Sequence, residues 1–188
     1  KAGNIMAMTD EEYMLRAVEL AKKGTGWTNP NPLVGAVIVK DGRIIGEGYH
    51  KKYGELHAER EALASANEDV SGATIYVTLE PCCHYGKQPP CVNAIIEAGI
   101  KRVVIGSYDP NPLVAGKGVD ILREHNITVD DKLVCSEECK SLNYVFFNYI
   151  KEKKPYVILK YAQSLDGKIA THTGLSQWIT GETARNKV

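Results

Sequence analysis

No run of apolar residues in this 188-residue sequence approaches the ~20 that a membrane-spanning helix needs. A surplus of charge is missing as well. Lys and Arg total 23, Asp and Glu total 23, and the formal net charge is zero. That balance argues against a protein that relies on non-specific grip on nucleic acid or on an anionic membrane. Internal repeats and low-complexity tracts are absent, and residues 1–8 contain no long apolar segment, so no secretory leader is read there. Met8-Thr9-Asp10 has the look of a natural beginning, and residues 1–7 are set aside from fold reasoning as extraneous. The rest is ordinary globular material, 44% hydrophobic and 24% charged, long enough to bury a core without disulfide staples.

Cysteine is scarce but unevenly placed. There are five, an odd number for a disulfide framework, and three of them fall within residues 82–91. Such a cluster suits metal ligation in a reducing, cytoplasmic compartment better than disulfide pairing.

Element signals alternate along the chain. Thr9 and Glu12 form a capping box ahead of helically spaced Met14, Ala17, Val18 and Ala21, and Gly24 ends that helix. The Asn29-Pro30-Asn31-Pro32 run is a rigid loop. Residues 34–39 and 44–49 are strands joined by an Asp41-Gly42 hairpin turn. Helix is expected over 57–66, strand over 73–79 stopped by Glu80-Pro81, helix over 91–98 closed by Gly99, and strand over 102–106. A helix over 119–124 and a short strand over 127–129 follow. One further helix is expected over 134–150, with Leu142, Val145, Phe146 and Tyr149 on one face. Strands alternating with helices imply a layered α/β sheet. The charged run 151–155 ends in proline and is a linker; a new strand begins at 156–161, Asp166-Gly167 is a turn, and 181–188 is the start of a helix.

The residues that carry chemistry are His57, Glu59, Cys82 and Cys91. One histidine and two cysteines make a three-ligand zinc set, and catalytic zinc keeps its fourth position for water. Glu59, two residues past His57, is placed to reach that water without ligating the metal. The helix beginning at Cys91 is expected to help hold Cys91 as thiolate. His-x-Glu followed by Pro-Cys and a second Cys is the signature of zinc deaminases, with the Glu as proton shuttle. The spacing departs from that signature: eight residues, 83–90, separate the two cysteines instead of two. Cys83 is the alternative to Cys82 as ligand, and Cys82 is preferred because it directly follows proline.

The longer spacing narrows the resemblance. Glu80-Pro81-Cys82-Cys83-His84-Tyr85-Gly86-Lys87 with Pro89-Pro90-Cys91 resembles the deaminase domain of the bifunctional riboflavin-biosynthesis deaminase/reductase family. So do Thr28-Asn29-Pro30-Asn31-Pro32-Leu33-Val34-Gly35, Gly48-Tyr49-His50 and Asp109-Pro110-Asn111-Pro112. The stretch from Lys160 to Ala170 and Ser176-Gln177-Trp178-Ile179-Thr180-Gly181 are similar to the opening of that family's reductase domain.

The resemblance implies a three-layer α/β/α, cytidine-deaminase-like mixed sheet over residues 8–150, then a linker at 151–155. From residue 156 it implies the start of a dihydrofolate-reductase-like domain. It implies zinc-dependent hydrolytic loss of an amino group from a diaminopyrimidinone carrying a ribosylamino 5'-phosphate. Zn2+ would be held by His57, Cys82 and Cys91, with Glu59 moving protons. Asn31, His50, His84, Lys87, Asp109 and Asn111 would line the substrate pocket. In the second domain Ala162 and Trp178 would lie near NADPH and Ser176 near substrate. Only 38 residues follow Ile150, fewer than the ~50 of a small domain, so no reductase activity is expected from this stretch alone. The implied partner is a small phosphorylated pyrimidine, with no nucleic acid and no membrane, in a homo-oligomer.

Plainer roles stand beside these. Cys135 and Cys139 are one helical turn apart and suit a buried core better than a metal. His125 and His172 have no partner pattern and belong on the surface. Tyr144, Phe146, Phe147 and Tyr149 suit packing, and Ser164 with Asp166 suits a turn at Gly167. The rival functions are a deaminase of guanine, cytidine or tRNA adenosine and, from another class, a structural zinc module. The second would need no Glu59 and would close the fourth coordination position.

Overall fold

The computed structural model describes residues 8–112 and 114–186. The chain divides into two compact units that part after Pro155. In the first unit, α1 (Asp10–Lys22) starts at Thr9, whose hydroxyl accepts from the Glu12 amide while the Glu12 carboxylate accepts from the Thr9 amide, as the capping box predicts. Then come β1 (Gly35–Lys40), β2 (Arg43–Tyr49), α2 (Ala58–Ser65), β3 (Thr74–Val77), α3 (Cys91–Glu97) and β4 (Arg102–Ile105). α4 (Lys117–Glu124), β5 (Thr128–Asp130), α5 (Ser136–Ser141) and α6 (Tyr144–Glu152) complete the unit. Asp41 and Gly42 both have positive φ, 50° and 72°, as the two-residue hairpin between β1 and β2 requires.

The sheet order is β2-β1-β3-β4-β5. β1 runs antiparallel to both β2 and β3, whereas β3, β4 and β5 are parallel. Alternation along the strands divides the core. Ala36, Ile38, Ile75, Val77, Val103 and Ile105 point to one face and pack with Ala58 and Ala62 of α2, Val92 and Ile95 of α3, and Val119 and Leu122 of α4. Val37, Val39, Tyr76 and Val104 point to the other, where Tyr13, Met14, Ala17 and Val18 of α1 meet Cys139 of α5. Helices on both faces of a mixed sheet make the expected three layers.

Two close approaches fix the layers. A Cβ on Gly48 would collide with Ala58 and Ala62 backbone, so α2 lies directly on β2. A Cβ on Gly35 would collide with Ala17 carbonyl, which brings α1 equally close to β1. On the α1 side of the sheet Arg102 bridges Asp10 at 2.6 Å and Asp130 at 3.1 Å, and the Tyr76 hydroxyl donates to Asp10 at 2.5 Å.

Two sequence expectations are corrected. The single helix over 134–150 is two helices, broken at Leu142 and Asn143. The buried Asn143 side chain accepts from the Leu33 amide and donates to the Leu33 carbonyl, both at 2.7 Å. That clamp on another segment redirects the chain, and α6 buries none of its residues within the unit. In the second unit, 156–161 is not a strand. The segment is extended and exposed, with Val157, Ile158 and Leu159 open to solvent, because no strand among the described residues pairs with it. α7 (Glu182–Arg185) is shorter than the helix expected over 181–188, whose last two residues lie outside the described residues. Among the described residues no helix is long and apolar enough to cross a membrane.

Candidate zinc site

The site lies at the carboxyl end of β3, where three chain segments converge. His57 caps α2 with an extended backbone, so its ring projects from the helix start, and Glu59 lies two residues into that helix, buried. Cys82 follows Pro81 beyond β3, and Cys91 is the first residue of α3. His57 Nδ1 is 3.5 Å from Cys82 Sγ and 3.4 Å from Cys91 Sγ, and the three donor atoms all lie within 4.8 Å of one another. A tetrahedral zinc with bonds of about 2.3 Å to sulfur and 2.0–2.1 Å to nitrogen would separate its S and N ligands by about 3.5 Å. The donor set therefore fits zinc in both chemistry and spacing. Among the described residues no other His, Cys, Asp or Glu group is gathered this way, and Cys135 and Cys139 stay outside it.

Electrostatics separates the two thiols. The Cys91 thiol, His57 and the Cys91 backbone amide, at 3.3 Å, all point toward Cys82 Sγ and pull its pKa down to about 4. Donation to Cys82, with burial, pushes Cys91 far above the ordinary thiol range. The first amide of α3, that of Cys91, is aimed at Cys82 Sγ. His57 is raised by its hydrogen bond to Cys82. Burial lifts Glu59 to about 7, with the negative charge at Cys82 adding to it. Cys83 is half-buried and raised by burial, and it is not among the converging donors.

A cavity of about 360 Å³ opens over these groups. Of the sequence-singled residues, Asn31, His50, His84, Lys87, Asp109 and Asn111 all line it, with His57, Glu59 and Cys82. His50 stands edge-on to His57 with ring centroids 5.3 Å apart. Its Nδ1 lies 2.9 Å from the Leu56 carbonyl, which can only accept, so Nδ1 carries the proton. Its Nε2 is then the acceptor for the Asn31 amide at 3.2 Å, and burial depresses the pKa, consistent with a neutral ring. Asp109 accepts from the Asn111 amide at 2.8 Å, and burial raises its pKa. Ser176, Ala162 and Trp178 belong to the second unit. There they border a shallow depression with Lys160 and Arg185, the Arg185 guanidinium stacked 4.3 Å over Trp178.

Glu80 was missed as a functional residue, since the sequence presents it only as the residue before a strand-stopping proline. Its buried carboxylate accepts from the amides of Asp109 (3.3 Å), Gly116 (3.0 Å) and Gly118 (3.0 Å), and so fixes the loop that carries Asp109 and Asn111. A carboxylate ending an otherwise apolar strand was the available signal. Phe146 of α6, assigned only to packing, and Ile150, assigned no role, also line the cavity.

Residues 7–107 match the model for the cytidine and deoxycytidylate deaminase zinc-binding region, more than half of the chain. The chain belongs to this deaminase family. Residues 155–188 match a second model, the RibD C-terminal domain. Riboflavin biosynthesis protein RibD of Actinobacillus pleuropneumoniae is 59% identical over 187 residues, which cover 100% of this chain and 50% of that protein. Among solved structures, a diaminohydroxyphosphoribosylaminopyrimidine deaminase/5-amino-6-(5-phosphoribosylamino)uracil reductase from Thermotoga maritima superposes with a TM-score of 0.88 at 56% identity, over 95% of this chain and 51% of that one. RibD of Acinetobacter baumannii gives 0.87 at 52% identity, over 95% and 50%. The resemblance drawn from the motifs is thus borne out, and the chain spans about half the length of the curated relatives it matches.

Proposed function

We propose that residues 8–150 form a deaminase domain that removes the amino group of a diaminopyrimidinone carrying a ribosylamino 5'-phosphate, a step of riboflavin biosynthesis. The observation that carries this is the convergence of the His57, Cys82 and Cys91 donors beside the buried Glu59 carboxyl, at the floor of one cavity. When bound, zinc supplies Lewis-acid activation of water at neutral pH. The chain's residues do the rest. Glu59, with a pKa near 7, is matched to both halves of a proton shuttle: its carboxylate takes one proton from the attacking water and gives it to the ring nitrogen, then takes the second from the hydroxyl now on the ring carbon and gives it to the amino group, which leaves as ammonia while the carbonyl forms. The amides of Asn31 and Asn111 offer both donors and acceptors to the pyrimidine edge, and His50 holds Asn31 in place. Lys87 and His84, exposed at the mouth, suit the phosphate, and Asp109 accepts from an amino group.

We infer that residues 156–188 open a dihydrofolate-reductase-like domain in which Ala162 and Trp178 approach NADPH and Ser176 approaches substrate. The complete protein would then reduce the ribosyl group of the deaminated product. The donors present, Lys160, Ser176 and Arg185, fit part of an anionic nucleotide and not the whole, so no step is derived through NADPH. A homo-oligomer in a reducing, cytoplasmic setting suits the exposed aromatics of α6 and the free thiols.

The test is ammonia release from zinc-loaded protein with the phosphorylated diaminopyrimidinone, guanine and cytidine in parallel. Release from the first alone supports the proposal. Release from another base keeps the chemistry and replaces the substrate, and release from none favours a structural metal site.

A further inference from the structure

Among the described residues Lys87 is the one lysine or arginine that lines the cavity, and its surroundings are unusual for a surface lysine. Its ammonium lies 4.1 Å from the centroid of the Tyr53 ring, the shortest lysine–aromatic distance among the described residues. Among those residues no carboxylate pairs with it. The next residue, Gly54, has φ +90°, and a Cβ there would stand 3.6 Å from Lys87 Cδ and 3.7 Å from Nζ. Gln88 Nε2 donates to the Gly54 carbonyl at 3.1 Å, which ties the loop bearing Lys87 to the turn bearing Tyr53. The Tyr53 amide in turn donates to the Trp27 carbonyl at 3.0 Å, anchoring that turn behind. Tyr53, Gly54, Lys87 and Gln88 all line the cavity.

A long lysine side chain on an exposed loop samples many rotamers, and an anion that captures it must overcome that freedom. An aromatic face holds an ammonium by its quadrupole without neutralising it, whereas a carboxylate would compete with any incoming anion. We propose that Tyr53 is a positioning residue: its ring holds the Lys87 ammonium at the cavity mouth, charged and uncommitted, for the phosphate of the substrate. The inference rests on the reading of the cavity as a site for a phosphorylated pyrimidine.

The experiment compares zinc-loaded full-length chains carrying Tyr53→Phe, Tyr53→Leu, Lys87→Met, and Tyr53→Leu with Lys87→Met. KM and kcat are measured for the phosphorylated substrate and its dephosphorylated analogue. Exposed cation–π contacts account for about a two- to five-fold effect. Tyr53→Leu should raise KM for the phosphorylated substrate by that factor, leave kcat and the KM of the analogue unchanged, and be rescued by Tyr53→Phe. In the Lys87→Met background the effect of Tyr53→Leu should disappear. Equal losses in the Phe and Leu variants, equal effects on both substrates, or an undiminished effect without Lys87 would each overturn the proposal. Two readouts need no turnover: Kd for ribose 5-phosphate, expected to follow the same pattern, and the proton shift of the Lys87 ε-methylene, expected upfield in wild type and Tyr53→Phe but not in Tyr53→Leu. An unshifted wild-type ε-methylene overturns the proposal even if the wild type proves to deaminate nothing.

Discussion

Glu59 combines two properties that surface carboxylates lack: it is removed from solvent, and a thiol of low pKa stands beside it. Both disfavour its charged form and bring its titration near neutral pH. Glu59→Gln keeps the shape and the three zinc donors but cannot carry a proton. Turnover should fall at least about 10²-fold with zinc content unchanged, read by ammonia release alongside metal analysis. Near-normal turnover in a zinc-replete variant would remove Glu59 from the proton path. A second residue, Asp10, belongs to stability. Its hydrogen bonds from Arg102 hold its pKa below the usual carboxylate value, so it contributes stability that is complete above the unfolded pKa and lost as pH falls through the folded one. Because the group is partly solvated, Asp10→Asn should cost only about 0.5–1.5 kcal/mol at pH 7. The gap between variant and wild type in urea unfolding should close in acid. A gap that persists below pH 3 would mean that packing, not charge, is responsible.

At the scale of elements, the loop between β4 and α4 is anchored by a buried carboxylate. Glu80 offers two oxygens to three backbone amides, and Gly118 has no room for a Cβ beside it. Glu80→Gln replaces one acceptor by an NH2 group facing donors, which leaves buried amides unpaired at about 1–3 kcal/mol. Amide exchange should quicken at Asp109, Gly116 and Gly118 while β1 and β3 stay protected. Uniform loss of protection would make Glu80 part of the global core instead. Most elements were legible in the sequence because their signals are local: the Thr9–Glu12 box, the Asp41-Gly42 turn, the β-branched strands. The break at Asn143 was not legible, since its cause is a hydrogen-bonded partner, Leu33, 110 positions away. The strand expected at 156–161 carries the right residues, but a strand is a property of two segments, and composition describes one. The convergence of His57, Cys82 and Cys91 was legible because ligand chemistry restricts residue types. The hydrogen bond from the Cys91 amide to Cys82 Sγ was not, because it depends on where one amide points.

For the whole molecule, the three-layer core of the first unit does not pass through the metal site. Val37, Ile38, Ile75, Val77, Val103, Val104 and Ile105 are fully or almost fully buried by packing alone. In small zinc modules, by contrast, apparent metal binding of about 10–16 kcal/mol is the folding energy itself. Chelation should therefore abolish turnover and leave the far-ultraviolet circular dichroism of an α/β domain, with a lowered Tm. Unfolding on chelation would support the structural-module reading over the enzymatic one.

The zero net charge of the sequence conceals an uneven interior. The cavity floor carries Glu59, Glu80, Asp109 and the thiol of lowered pKa, while Lys87 and His84 stand at its exposed mouth. The cavity thus sets carboxyl groups on its inner side against the Lys87 ammonium at its mouth. A ligand with an anionic tail and a neutral head is expected to leave its tail at that ammonium and carry its head inward.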